Sequence, residues 1–156
     1  MGREALIRAA TDADIEAIAA NPRPADVAEL WSCGRSTPAS AMRFGLRHGT
    51  HTWTGEVDGV PVCMFGAVPA SLIGRIGVPW MVGAAELDQH HIALIRRSRG
   101  AVRAMRSVYD VLANRVDARN CAAIRWLRWC GFTVSDVPEI HGPDRLPFYR
   151  FELRSD

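Results

Sequence analysis

The chain has 156 residues, 48% hydrophobic and 23% charged, with a formal net charge of +2. That balance excludes a polycation, and it suits one globular domain over residues 1–156 with a proper core. No apolar run approaches the ~20 residues that a membrane span needs, and no signal-peptide pattern is visible. All 19 basic residues are arginine. No lysine is therefore available as a Schiff-base former or general base. Cys33, Cys63, Cys121 and Cys130 show no CxxC spacing and read as reduced thiols in a cytoplasmic setting.

In chain order, Glu4–Ala10 alternates weakly and predicts a first strand. Thr11 then caps a helix, with Asp14 completing a capping-box spacing. Ile15, Ile18 and Ala19 make its buried face, and Asn21-Pro22 stops it. Pro24 opens a second helix with Val27, Leu30 and Trp31 inward, ended by Gly34. Thr37-Pro38 starts a third, with Met42 and Leu46 on one side and Gly49 as the stop. The period then changes to alternation. His51–Val57 and Val60–Val68 are two strands joined by Asp58-Gly59, a strong short hairpin signal. Arg75–Ala85 is another apolar run. Pro79 cannot donate to a ladder, so it implies an edge, a bulge or a splayed strand. Ala85–Leu94 predicts a short helix and Ser98–Asp110 a clearer one.

The next stretch, Val111–Phe132, organises the chain. Val111, Leu112, Ala113 and Val116 make a buried strand, and Asp117 stands where a helix N-cap belongs. Asn120, Ala123, Ile124, Leu127 and Cys130 form one helical stripe. Gly131 closes the helix as a residue free to take positive φ. Phe132–Asp136 follows as a strand, then a loop through His141-Gly142-Pro143-Asp144, and Leu146–Leu153 as the last strand. Hairpins mixed with two strand–helix crossovers predict an α+β domain with a mixed sheet.

This order resembles the GNAT acyltransferase superfamily. N120-x-x-A123-I124-x-x-L127-x-x-x-G131-F132 looks like its signature helix and following strand. I7-R8-A9-A10-T11-D12-A13-D14 looks like its first strand and helix. The resemblance implies helices on both faces of the sheet and a bulged fourth strand, at Pro79, splayed from the fifth. A closer likeness is to the GNAT-like internal virion proteins of short-tailed phages. It is carried by G77-V78-P79-W80-M81-V82-G83, the arginine-rich segment near Arg96–Arg99, and V116-D117-A118-R119-N120-x-x-A123-I124-R125-W126-L127.

The superfamily resemblance implies acyl transfer from acetyl-CoA to an amine by direct attack, the acceptor being a small molecule or a protein. Met81, Val82 and Gly83 would hold the pantetheine arm, and Asn120 would line the cleft. Arg97, Ser98, Arg99, Gly100 and Ala101 are the nearest match to the superfamily's Q/R-x-x-G-x-G/A pyrophosphate loop, whose N–H groups bind phosphate at a helix start. Valine replaces the final small residue, and the segment comes late after the strand. Leu127 stands where many members carry a proton-donating tyrosine. Glu86 and Tyr149 are the remaining candidates for catalytic proton transfer. The ordinary reading of Glu86, ahead of the catalytic one, is a helix-start acid favoured by the dipole. The phage likeness implies instead a virion or head-assembly protein with virion partners and an inactive fold, located in the host cytoplasm or the virion.

Arg96, Arg99, Arg103 and Arg106 share a helix face with no acid between Gln89 and Tyr109. A solvated face is the ordinary reading, a coenzyme A phosphate site the next, and a macromolecular partner the third. Nucleic acid is the disfavoured partner, although Trp126 and Trp129 beside Arg125 and Arg128 could stack on bases. Tryptophans at helical spacing are more often packing. His90 and His91 are adjacent and point apart on a helix, so no metal site is expected.

Overall fold

The computed structural model describes residues 3–71 and 73–156. The elements run β1 (Ala5–Ala9), α1 (Asp12–Ala19), α2 (Pro24–Gly34), α3 (Pro38–His48), β2 (His51–Val57), β3 (Val60–Pro69), β4 (Ile76–Gly83), α4 (Leu87–Arg106), β5 (Val111–Asp117), α5 (Cys121–Trp129), β6 (Thr133–Val134), β7 (Glu139–His141) and β8 (Leu146–Arg154). The sheet order is β1-β2-β3-β4-β5-β8-β6, with β7 also on β8. Among the described residues only β4 and β5 pair in parallel; the other pairings are antiparallel.

The local signals act where the sequence places them. Thr11 donates its N–H to the Asp14 carboxylate at 2.9 Å. The same carboxylate receives two Arg8 bonds at 2.8 Å and the Thr54 hydroxyl at 2.8 Å. Asp58 and Gly59 both take positive φ, 51° and 80°, as a type I′ hairpin turn requires. Gly131 sits at φ 100° just past α5.

Helices cover both faces of the sheet. Ile15, Ile18 and Met42 from α1 and α3 pack on Met64 and Val82. Leu94, Ala101 and Met105 from α4, with Ile124 from α5, pack on Phe65, Leu112 and Phe151 opposite. No helix among the described residues is long and apolar enough to cross a membrane.

Four expectations are corrected. The two helices predicted across Ala85–Asp110 are one helix, α4, which continues through Gly100. Asp117 is not the cap of α5. The β5 strand runs through it, and Asn120 caps the helix, its Oδ1 accepting the Ala123 N–H at 3.4 Å. The segment Glu139–His141, expected to be loop, adds a short strand to the edge of β8. In α2, Val27 and Trp31 face solvent, while Asp26 and Ser32 are buried.

The departure of the fourth strand is a splay. Its register with β3 is unbroken from Gly77 to Gly83. The register shift nearest to it in the sheet lies in β2, between Gly55 and Glu56. Toward β5, β4 pairs only at Ile76 and Gly77.

Candidate active site

Continuing that parallel register would set Pro79 opposite Asn114. Proline has no N–H to give, so the ladder cannot extend. Instead Asn114 reaches across, and its Nδ2 donates to the Pro79 carbonyl at 2.8 Å. A residue's N–H and C=O point to the same side of a strand, and the side alternates along it. Pro79, Met81 and Gly83 therefore turn their backbone polar groups toward β5. Gly83 is already engaged: its N–H donates to Asp26 Oδ2 at 2.8 Å, and its carbonyl accepts the Arg23 N–H at 2.8 Å. Met81 is left facing the opening.

On the other bank, the Arg115 N–H is taken by Asn114 Oδ1 at 2.8 Å. The Asp117 N–H donates to Glu29 Oε1. A carboxylate from α2 thus occupies the place of a missing strand partner. Asp26, Glu29, Leu30 and Cys33 recur at helical spacing along α2 and line one wall of the resulting cavity of about 190 Å³. Pro79–Met81, Asn114–Val116, Asn120 and Leu127 line the others.

Asn120 is 4% exposed. Its Oδ1 also accepts from Arg23 Nη1 at 3.3 Å, whereas its Nδ2 has no partner. An orphaned buried donor beside a cavity is a position for a ligand acceptor atom. A second cavity of about 520 Å³ lies between α4 and α5, lined by Arg23, Met81, Asp88, His91, Arg125, Trp126 and Trp129 among others. Met81, Ala123 and Trp126 border both spaces.

Burial pushes the Glu29 carboxyl up to about 7; Asp26 and Asp117 add to the rise, against the Asp117 N–H bond and the Arg23 charge. Burial also raises Asp26, the Gly83 N–H and Arg23 opposing it. Burial would raise Asp117 too, but the side chain and N–H of Arg119 bring it below the usual carboxylate range. Arg23 is 7% exposed and bridges Asp26 at 3.2 Å and Asp88 at 2.9 Å. Cys33 Sγ lies 3.4 Å from His141 Nε2, and burial and the Glu29 charge raise its thiol.

The structure separates the residues that the sequence grouped. Met81, Ser98, Ala101 and Asn120 line the cavity. Val82 does not: its side chain is 1% exposed and packs with Met42 and Met64 in the opposite core. Gly83 has both backbone groups committed, as above. Arg97, Ser98, Arg99, Gly100 and Ala101 form no phosphate loop. They lie in the middle of α4, where the N–H groups are spent on the helix. Ser98 Oγ instead receives Trp126 Nε1 at 3.2 Å, which supports packing for that tryptophan. Glu86 stands at the N-cap position of α4 without a side-chain cap bond and lines neither cavity, and Tyr149, opposite Val116 on β8, also lines neither. The sequence reading missed Arg23, Asp26, Glu29, Cys33 and Asn114. For α2 the available signal was the polar i, i+3, i+7 stripe of Asp26, Glu29 and Cys33, which pattern alone assigns to solvent.

Solved structures share this fold along nearly the whole chain. The ribosomal-protein-alanine N-acetyltransferase from Brucella melitensis superposes with a TM-score of 0.75 at 19% identity, covering 96% of this chain and 99% of that one. An acetyltransferase of the GNAT family from Streptococcus pneumoniae gives 0.65 at 17%, covering 98% and 100%. This is the GNAT fold. Spermidine N-acetyltransferase from Vibrio cholerae, solved with CoA and spermine, has the same fold, with a TM-score of 0.66 at 12% identity over 96% of this chain and 95% of that one. No family model and no curated protein matches the sequence. Within the GNAT fold, the splay of β4 from β5 and the parallel pair at its root are the features that position this cavity.

Proposed function

We propose that the chain transfers an acetyl group from acetyl-CoA to the amine of a small molecule, in the opening between β4 and β5. One observation carries the reading. Met81's backbone, the unpartnered Asn120 Nδ2 and the Glu29 carboxylate border a single cavity where the ladder is interrupted. Met81 N–H and Asn120 Nδ2 are donors of the kind that stabilise charge on a carbonyl oxygen. Glu29, poised near neutrality, is suited to take the proton that an attacking ammonium must lose.

The coenzyme fits the residues unevenly. The thioester arm suits the splay, and the larger cavity beyond Met81 offers His91 and Arg125 to phosphates. A backbone cradle is missing: three residues, Ala84-Ala85-Glu86, join β4 to α4, none a glycine, and Asp88 lies in the first helical turn. Those carboxylates oppose an anion at that helix start.

That departure, with Leu127 in the cavity wall, favours a second reading, a protein that keeps the fold without the chemistry; only the sequence likeness would make it a virion or head-assembly protein. Release of CoA thiol from acetyl-CoA, followed with a panel of small primary amines, separates the two. Amine-dependent release that Glu29→Gln abolishes supports transfer. A folded protein that neither binds nor consumes acetyl-CoA supports the scaffold.

A further inference from the structure

We propose that the outer face of α4 and α5 binds the phosphate backbone of double-stranded nucleic acid, a face that shares only Arg125 with the phosphate side of the proposed coenzyme site. The two helices carry seven arginines: Arg96, Arg97, Arg99, Arg103 and Arg106 on α4, and Arg125 and Arg128 on α5. Their only acid is Asp88, at the start of α4. None of the seven forms an ion pair among the described residues, although seven other arginines of the chain do.

The helices sit side by side. Arg99 stacks over the Trp129 ring at 3.9 Å and donates to the Trp129 carbonyl at 3.1 Å. Ser98 and Trp126 are bonded across the same seam. Arg96, Arg99, Arg103 and Arg106 of α4 therefore lie on one side of the molecule with the arginines of α5, Arg97 standing on the flank of α4, and six of the seven are exposed, Arg106 less so. The rest of the chain holds twelve arginines against sixteen acids and is net negative. A net charge of +2 thus conceals a strongly polarised surface.

Like charges three and four apart destabilise a helix. Arg99 rests on Trp129 and Arg106 reaches the Arg154 carbonyl, but among the described residues no carboxylate neutralises the ridge, so a polyanionic partner is the compensation the structure points to. Arg96 to Arg106 spans about 15 Å along the helix. Duplex DNA offers one phosphate per ~1.7 Å of axis over that length, whereas a single coenzyme presents its phosphates in one place. Guanidinium forks match phosphate oxygens. This reverses the order of partners drawn from sequence, which could not bring α5 alongside α4.

The test is fluorescence anisotropy with a fluorescein-labelled duplex of about 20 base pairs across a salt series. The expected slope of log affinity against log salt is about −4 to −6, for five to seven phosphate contacts. Arg96→Gln/Arg99→Gln/Arg103→Gln should weaken binding at least ~10-fold and flatten the slope by about 3. Arg43→Gln/Arg47→Gln, on α3, should leave affinity within about twofold, since contact-free arginines do not enter the slope. Circular dichroism confirms that the variants fold. Absence of saturable binding at low salt overturns the proposal, as does equal loss in the α3 variant. Stronger competition by polyglutamate than by unlabelled duplex would assign the face to an acidic protein instead and also overturn it.

Discussion

Glu29→Gln should make the protein more stable and less active at once. The Glu29 carboxyl moves from 4.5 to about 7 on folding, chiefly through burial. The folded state then binds more protons than the unfolded state between those values, so stability falls as pH rises through that window. At ~1.4 kcal/mol per unit, the ceiling on the loss above pH ~7 is about 3 kcal/mol. Glutamine keeps an oxygen for the Asp117 N–H and carries no charge to bury. Urea unfolding of both proteins at about pH 5 and about pH 8 reads the effect. The difference between them should be small at the lower pH and reach about 1–3 kcal/mol in favour of the variant at the higher. Activity moves oppositely, with a loss of about 10²- to 10⁴-fold in transfer. A variant that is less stable at the higher pH, or that keeps the wild-type pH dependence, refutes the argument.

Other perturbations have equally definite outcomes. Asp14→Ala strips the partner from Arg8, Thr54 and the Thr11 N–H, and should cost about 2–4 kcal/mol in urea unfolding. Hydrogen bonding from Arg8 holds the Asp14 carboxyl well below the usual carboxylate range. Its contribution is therefore complete above pH ~4 and disappears in acid, so wild type and variant should converge there. Gly142 sits at φ 78° with Ser32's carbonyl where a Cβ would go. Gly142→Ala should destabilise by about 1–3 kcal/mol and loosen the β7–β8 turn from α2, seen as faster amide exchange at His141. Asn114→Ala removes the bridge to Pro79 and should reduce transfer more than stability.

Much of the frame was legible because short-range chemistry decides it. Asp58-Gly59 dictates its own turn, Thr11 and Asp14 cap a helix by spacing, and Pro79 announces where a ladder must stop. The site was less legible because its residues obey tertiary rather than local rules. In α2, pattern puts Val27 and Trp31 inside and Asp26 and Glu29 outside. The fold does the reverse, since that helix faces the gap in the sheet, where unpaired strand amides at Gly83 and Asp117 need acceptors. Asp117 has the side chain of a cap, yet Asn120 caps, because Arg119 claims the Asp117 carboxylate. The glycine-bearing match at Arg97–Ala101 invited a phosphate loop. Gly100 is tolerated inside a helix, and α4 passes straight through it.

The most direct test of the central claim is calorimetric titration of the folded protein with acetyl-CoA, wild type against Asn120→Ala. Saturable binding in the micromolar range, weakened in the variant by roughly the about 1–3 kcal/mol of one ligand hydrogen bond, is the predicted result. No binding to folded wild type would contradict a thioester site between β4 and β5.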